Sequence, residues 1–104
     1  MKIPLALMTA CLLPLTIHAE NWPMWRGSRL DGSSLDSVPT AWSATENIQW
    51  RTEIPASGHA SPIVWGDRVF VVGADEDGQE RLLIALNRAD GKILWKTPVL
   101  RTQP

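Results

Sequence analysis

The chain has 104 residues, and ten Lys and Arg side chains against eleven Asp and Glu give a formal net charge of −1. Nucleic-acid-binding proteins usually carry a patch of basic residues. The near-neutral balance of this chain, without a basic cluster, argues against that class. The single cysteine, Cys11, excludes an intrachain disulfide and a metal site built from several thiolates.

Residues 1–19 have the pattern of a secretory signal peptide. Lys2 provides a short positive start, and Ile3 to Ile17 is mostly apolar. Ile17-His18-Ala19 then offers a small-residue cleavage site before Glu20. The apolar stretch is too short for a membrane span and is interrupted by proline. We therefore predict cleavage after Ala19, export to the periplasm or the medium, and no transmembrane segment in the mature chain.

Cys11 leaves a second interpretation open. Met8-Thr9-Ala10-Cys11 loosely resembles a lipoprotein box, in which the cysteine would carry the lipid. Two features count against it, because methionine is atypical at the position of Met8 and the apolar run continues to Leu15. A lipoprotein attached through Cys11 is the less favoured alternative.

The segment 20–47 is rich in Gly, Ser, Pro and Asp and has neither a period of two nor one of 3.6. We therefore predict an irregular arm. Its tryptophans, Trp22, Trp25 and Trp42, are expected to anchor the arm on a neighbouring surface, because a buried indole covers a large apolar area.

From residue 47 onward, short runs of β-branched and apolar residues predict strands, and no stretch has helical spacing. The pair Gly66-Asp67 between two such runs predicts a two-residue type II′ hairpin. Gly91 suits a turn position that requires positive φ. The predicted strands are 47–54, 61–65, 68–74, 81–87 and 92–99.

Two of these strands are apolar at consecutive positions, Val69 to Val72 and Leu82 to Leu86. Since successive side chains of a strand point to opposite faces, both faces of the sheet need cover. A β-propeller blade, stacked between similar sheets, meets this requirement with four strands. We predict an all-β fold in which residues 48–104 form one antiparallel four-stranded blade plus one extra N-terminal strand, 48–54. The propeller would be incomplete in this chain.

An internal repeat supports this prediction. Two seven-residue phrases, Ile48 to Ile54 and Ile93 to Val99, lie 45 residues apart and share Ile, Trp and Thr at equivalent positions. A period of about 20–50 residues is typical of repeat architectures. Trp95 would close the blade, and Trp50 would lie in the matching strand of another blade.

The second phrase ends a longer motif, residues 85–95, with the sequence ALNRADGKILW. It resembles the tryptophan-docking motif of pyrroloquinoline-quinone (PQQ) repeat propellers, A-x-D-x-x-T-G-K-x-x-W. The matching residues are Ala85, Gly91, Lys92 and Trp95, whereas Asn87 stands for the usual Asp and Asp90 for the usual Thr. We assign structural roles to these residues and to Trp50.

The resemblance extends beyond this motif. Residues 61–71 look like the front half of the same repeat, and residues 21–27 are similar to the start of exported PQQ-like propeller proteins. It implies a PQQ-like propeller over about residues 21–99. The motif is specific for the repeat and not for binding of the quinone.

No residue is predicted to be catalytic, to bind a cofactor or to hold a metal. His59 lies between two serines, but the sequence places no carboxylate to orient its ring and contains no nucleophile elbow. The acidic loop 75–80 has four carboxylates, yet its spacing does not match an EF-hand. A solvated hairpin tip is the favoured interpretation of this loop.

Two functions follow from the resemblance. The leading one is a non-enzymatic, exported PQQ-like propeller fragment that acts in protein binding or as an assembly scaffold, with a protein partner of unknown identity. It would be similar in kind to the lipoprotein component of the outer-membrane β-barrel assembly machinery. The alternative is the first blade of a PQQ- and calcium-dependent quinoprotein dehydrogenase for an alcohol or a sugar. The full ring of such an enzyme would hold both cofactors.

Overall fold

The computed structural model describes residues 19–101, and it contains one antiparallel sheet with strand order β1-β2-β3-β4. The strands are β1 Ile63–Trp65, β2 Arg68–Ala74, β3 Glu80–Asn87 and β4 Ile93–Arg101. The all-β prediction is confirmed, and four antiparallel neighbours in chain order are the arrangement of a propeller blade.

The predicted signal peptide lies outside the described residues, apart from Ala19. In the described part of the chain, no segment forms a helix that could span a bilayer.

The turn between β1 and β2 is the predicted two-residue hairpin. Gly66 and Asp67 join the strands, with Trp65 paired opposite Arg68. Gly66 has a φ of 56°, whereas the φ of Asp67 is not positive. A type II′ turn needs positive φ only at its first central residue, so glycine occupies the one position that demands it.

The predicted strand at residues 47–54 is wrong. These residues make no backbone–backbone hydrogen bond to any part of the described chain. Every second side chain, Trp50, Thr52 and Ile54, is half buried, and those between are exposed. The period of two arises because the segment lies extended across one face of the sheet and directs alternate side chains toward it. A strand-like pattern here marks a segment that packs on the sheet and does not join it.

We call residues 49–56 the covering segment. Ser57, the next residue, forms a backbone bridge with Ala74 at the end of β2. Ser57 N donates to Ala74 O at 3.0 Å, and Ala74 N donates to Ser57 O at 2.7 Å. Gly73 permits the approach, because a Cβ atom at this position would lie 2.5 Å from Ala56 Cβ. The chain then turns away toward β1.

The core lies between the covering segment and one face of the sheet, called the covered face. Its buried members are Leu82, Ile84 and Leu86 of β3, and Ile84 is fully buried. Half-buried apolar residues pack around them: Trp50, Ile54, Ala56, Val69, Val71 and Ile93. The covering segment and the sheet bury apolar area against each other, and this burial is the main source of stability for so small a sheet.

The opposite face, called the open face, has a different character. Phe70, Ala85 and Trp95 lie in one row, since each is the direct cross-strand partner of the next. Ala85 is fully buried and small, so the two rings meet above it with centroids 6.2 Å apart. Trp95 nevertheless remains 43% exposed. We expected both faces of the sheet to need cover. Within the described residues, a chain segment covers the face of Leu82, Ile84 and Leu86, and no segment covers the open face in the same way.

We expect Ile84→Ala to lower the free energy of unfolding by about 2–5 kcal/mol, because it removes a fully buried side chain and leaves a cavity. Urea unfolding of the whole chain, followed by tryptophan fluorescence, measures this change. The matched control is Leu35→Ala, at a side chain that is 82% exposed, where we expect a change below about 0.5 kcal/mol. Equal effects of the two variants would contradict the assigned core.

Candidate functional site

The motif turn between β3 and β4 is closed by its own hydrogen bonds. Asn87 N donates to Lys92 O, and Gly91 N donates to Asn87 O, both at 2.8 Å. The Asn87 carboxamide oxygen accepts from Ala89 N at 3.0 Å, and a carboxylate oxygen of Asp90 accepts from Lys92 N at 2.9 Å. Side chains that cap their own backbone hold such a turn in one conformation. The Lys92 side chain is exposed.

Trp50 docks on this turn together with its neighbours. Three side chains of the covering segment each donate one hydrogen bond to a carbonyl of the turn. These bonds run from Gln49 Nε2 to Ala89 O (3.0 Å), from Trp50 Nε1 to Arg88 O (2.7 Å) and from Thr52 Oγ1 to Gly91 O (2.5 Å). The indole N–H is satisfied while its ring covers the turn, as a buried tryptophan requires.

Gly91 makes this contact possible in two ways. Its φ is 73°, a conformation that costs a residue with a side chain about 1–2 kcal/mol. A Cβ atom would also lie 2.5 Å from Trp50 Cδ2 and 2.6 Å from Thr52 Oγ1. The Trp50 indole therefore packs directly against the backbone of Gly91, the glycine of the motif.

Trp95 occupies the equivalent position in the second phrase but has no turn above it. Its ring contact in the described chain is with Phe70, and 43% of its surface is exposed. The two repeated tryptophans thus have different environments, one docked and one open. The open one, Trp95, lies on β4, an outer strand of the sheet.

The two edges of the sheet also differ. Trp22 pairs with Val64 of β1 through reciprocal backbone hydrogen bonds of 2.7 and 2.8 Å. Asn21 adds a bond from Gly66 N to its side-chain oxygen at 2.7 Å. In the described chain, β4 has a neighbour only on its β3 side. Exposed apolar side chains line this open edge: Leu94, Trp95, Val99 and Leu100.

The arm folds around the carboxylate of Glu20. Its two oxygens accept hydrogen bonds from Ser28 Oγ (2.9 Å), Ser34 Oγ (2.7 Å) and Leu35 N (3.2 Å), and Arg29 forms an ion pair with it. The hydroxyl of Ser34, followed by that of Ser28, lowers the pKa of Glu20 from its ordinary 4.5 to about 2. Donors aimed at the charged form have this effect.

Arg88 connects the arm to the motif turn. Its guanidinium donates to Gly66 O at 3.0 Å and to Glu20 O at 3.2 Å. Its backbone N–H donates to Asp67 O at 2.9 Å, and its own carbonyl receives the Trp50 indole. Sequence reasoning missed the role of Arg88, as well as those of Thr52 and Glu20. Only the Thr shared by the two repeated phrases could have drawn attention to Thr52.

The remaining candidates for chemistry are surface features. His59 is exposed in the loop before β1. The Asp75 carboxylate caps its own loop, because it accepts from Gln79 N at 2.9 Å and from Glu80 N at 3.1 Å. Between residues 19 and 101, no three His, Cys, Asp or Glu side chains converge as metal ligands.

We expect Gly91→Ala to destabilise the chain more than Gly78→Ala. Both glycines have φ near 70°, but a Cβ atom at Gly78 would meet nothing within 4 Å, whereas one at Gly91 would overlap Trp50. Gly78→Ala should cost about 1–2 kcal/mol, the conformational term alone. Urea unfolding of both variants measures the difference, which is the cost of displacing the indole. Similar losses for both variants would show that the docking contact carries no stability.

The depressed pKa of Glu20 predicts an acid transition of the arm. The stabilisation it provides is complete above about pH 4.5 and is lost as the pH falls to about 2. The Glu20 carboxyl ¹³C shift should titrate near pH 2, and the Leu35 amide should shift with the same midpoint. Glu20→Gln should remove the transition at Leu35. A Glu20 midpoint near 4.5 in the wild type would contradict the network.

Comparison with known proteins places this geometry in a family. A family model described as outer membrane protein assembly factor BamB, built from PQQ repeats, matches residues 34–104. The match includes all four strands, the covering segment and the motif turn, and it confirms the resemblance seen in residues 85–95. No curated protein and no solved structure matches the chain. The chain belongs to the family of BamB-like PQQ-repeat proteins.

Proposed function

We propose that this chain is a non-enzymatic, exported binding scaffold that takes part in the assembly of outer-membrane proteins. The observation that carries the proposal is the open edge of the sheet, strand β4, with its exposed apolar side chains. The family description, an outer membrane protein assembly factor, supports the choice of process.

The geometry of β4 suits the addition of another strand. An outer strand presents backbone N–H and C=O groups on its unpaired side, and an extended segment can pair with them. Pro98 has no N–H to donate, so the part of β4 with all its donors is Ile93 to Thr97. A partner segment of about five residues would fill this part of the edge.

The side chains beside this edge indicate the chemistry of the partner. Leu94 and Trp95 are 39% and 43% exposed, and an apolar segment would cover them. Strands of outer-membrane barrels alternate apolar and polar residues, and before insertion their backbone groups are unpaired. Such a strand offers both the hydrogen bonds and the apolar side chains that the β4 edge can accept.

A binding assay tests this proposal. A fluorescently labelled outer-membrane β-barrel protein is diluted from urea into solutions of the full chain, and its anisotropy is measured. We expect Trp95→Ser and Leu94→Lys to weaken binding about tenfold, since the first removes apolar contact and the second places a charge at the edge. The control is Leu35→Ser, at a still more exposed apolar side chain on the arm, which should bind like the wild type.

Unfolding midpoints of all variants are measured in parallel, so that loss of structure is distinguished from loss of binding. Unchanged binding by both edge variants would contradict the proposed surface. Reduction of a dye by the full chain with PQQ, calcium and an alcohol or a sugar would instead support the dehydrogenase alternative.

A further inference from the structure

Residue 20 is held from three directions in the arm. Its backbone N–H faces the Asp36 carboxylate, with both oxygens within hydrogen-bond distance, at 3.0 and 3.2 Å. Its carbonyl accepts from the Arg88 guanidinium at 3.2 Å, and its side chain is the centre of the arm. The main-chain nitrogen of Glu20 therefore has a fixed position relative to the Asp36 carboxylate.

In the contact between Glu20 N and Asp36, the single amide hydrogen is shared by two carboxylate oxygens, a three-centre hydrogen bond. A peptide N–H has one hydrogen, so it cannot be directed fully at two oxygens. An α-ammonium group has three hydrogens and a positive charge, and a carboxylate binds it through charge-assisted hydrogen bonds. At a chain terminus on residue 20, each Asp36 oxygen could therefore receive its own hydrogen, whereas in a continuing chain the two oxygens share one.

The sequence places a cleavage site at the same bond. Ile17-His18-Ala19 has the small-residue pattern that precedes signal-peptide hydrolysis, and Glu20 follows it directly. Ala19 is exposed, so the bond is accessible from solvent. This is a second observation, independent of the distances, that points to the same nitrogen atom.

We propose that hydrolysis of the Ala19–Glu20 bond creates an α-ammonium group on Glu20 that is held by the Asp36 carboxylate. Water adds its hydroxyl to the Ala19 carbonyl carbon and one proton to the leaving nitrogen. The new carboxylic acid then gives up its proton to the amine, so the products at neutral pH are the Ala19 carboxylate and the Glu20 ammonium group. The hydrogen bond between Glu20 N and the Asp36 carboxylate then becomes an ion pair, which closes the loop from residue 20 to residue 36. In the uncleaved chain the same contact is only a hydrogen bond from a neutral amide.

The charges around the new terminus favour this pairing. The Glu20 carboxylate is already occupied by Arg29 and by hydroxyl donors, so it is committed elsewhere. Arg88 approaches the carbonyl of residue 20 and not its nitrogen. Asp31, the other carboxylate of this part of the arm, accepts from Ser33. Among the described carboxylates, Asp36 is the one placed to receive the ammonium group.

The test uses the full-length chain, exported by a bacterial host and purified from the periplasm or the membrane. Intact mass spectrometry identifies the first residue, which should be Glu20. The mature protein is then treated at pH 7 with an amine-reactive N-hydroxysuccinimide ester, and labelling of the N-terminal peptide is followed over time. Lys92 and Lys96, both exposed, serve as internal references.

A carboxylate partner keeps the terminal amine protonated and slows its acylation. We expect Asp36→Asn to label at the terminus about threefold faster or more, since a rise of one pKa unit changes the fraction of reactive amine about tenfold. Asp31→Asn should label like the wild type. As a second measurement, the wild-type terminus should react more slowly than the synthetic peptide of residues 20–27.

Three results would overturn the proposal. The mature chain could begin elsewhere, including at a lipidated Cys11. Asp36→Asn could label at the same rate as Asp31→Asn. The wild-type terminus could react as fast as the peptide. None of these readouts depends on partner binding, so the scaffold function is tested separately.

Discussion

The contact between the Trp50 indole and the Gly91 turn is the constraint on which the rest of the structure depends. It fixes the covering segment at one end of the covered face, and the Ser57–Ala74 bridge fixes it at the other. Strand β3 is apolar on both faces, so without this segment Leu82, Ile84 and Leu86 would face water. The turn can receive the indole because its carbonyls point outward and its glycine has no side chain. The stability of the core and the conformation of the turn are therefore linked through one aromatic ring.

Strand positions could be predicted from the sequence because the turns between strands have distinctive residues. Gly66-Asp67 sets the register of β1 and β2, and consecutive apolar residues mark β2 and β3. The segment 47–54 could not be assigned in this way, since an extended chain lying on a sheet has the same period of two as a strand within it. The roles of Glu20 and Arg88 escaped prediction for another reason. The bond between them joins residues 68 positions apart, and nothing in the local sequence indicates such a pairing.

The two faces of the sheet differ from each other, and so do its two edges. One face is covered by the chain itself, and the other presents the exposed surface of Trp95. One edge is paired with Trp22, and the other, β4, has no second neighbour among residues 19–101. The covered face and the paired edge both depend on segments that precede the sheet in the chain. The open face and the open edge meet at β4, where exposed apolar side chains lie next to unpaired backbone groups.

The position of Arg88 has a consequence for the order in which the molecule forms. Neighbouring strands are joined by short turns, so their pairing closes small loops and costs little chain entropy. The bond from Arg88 to the Glu20 carbonyl closes a loop of most of the chain, and it can form only after the β3–β4 turn exists. Loop-closure entropy therefore predicts that the arm docks after the sheet has formed. Because a chain is synthesised from its N-terminus, residue 20 exists well before residue 88 and can reach its final place only once residue 88 has been made.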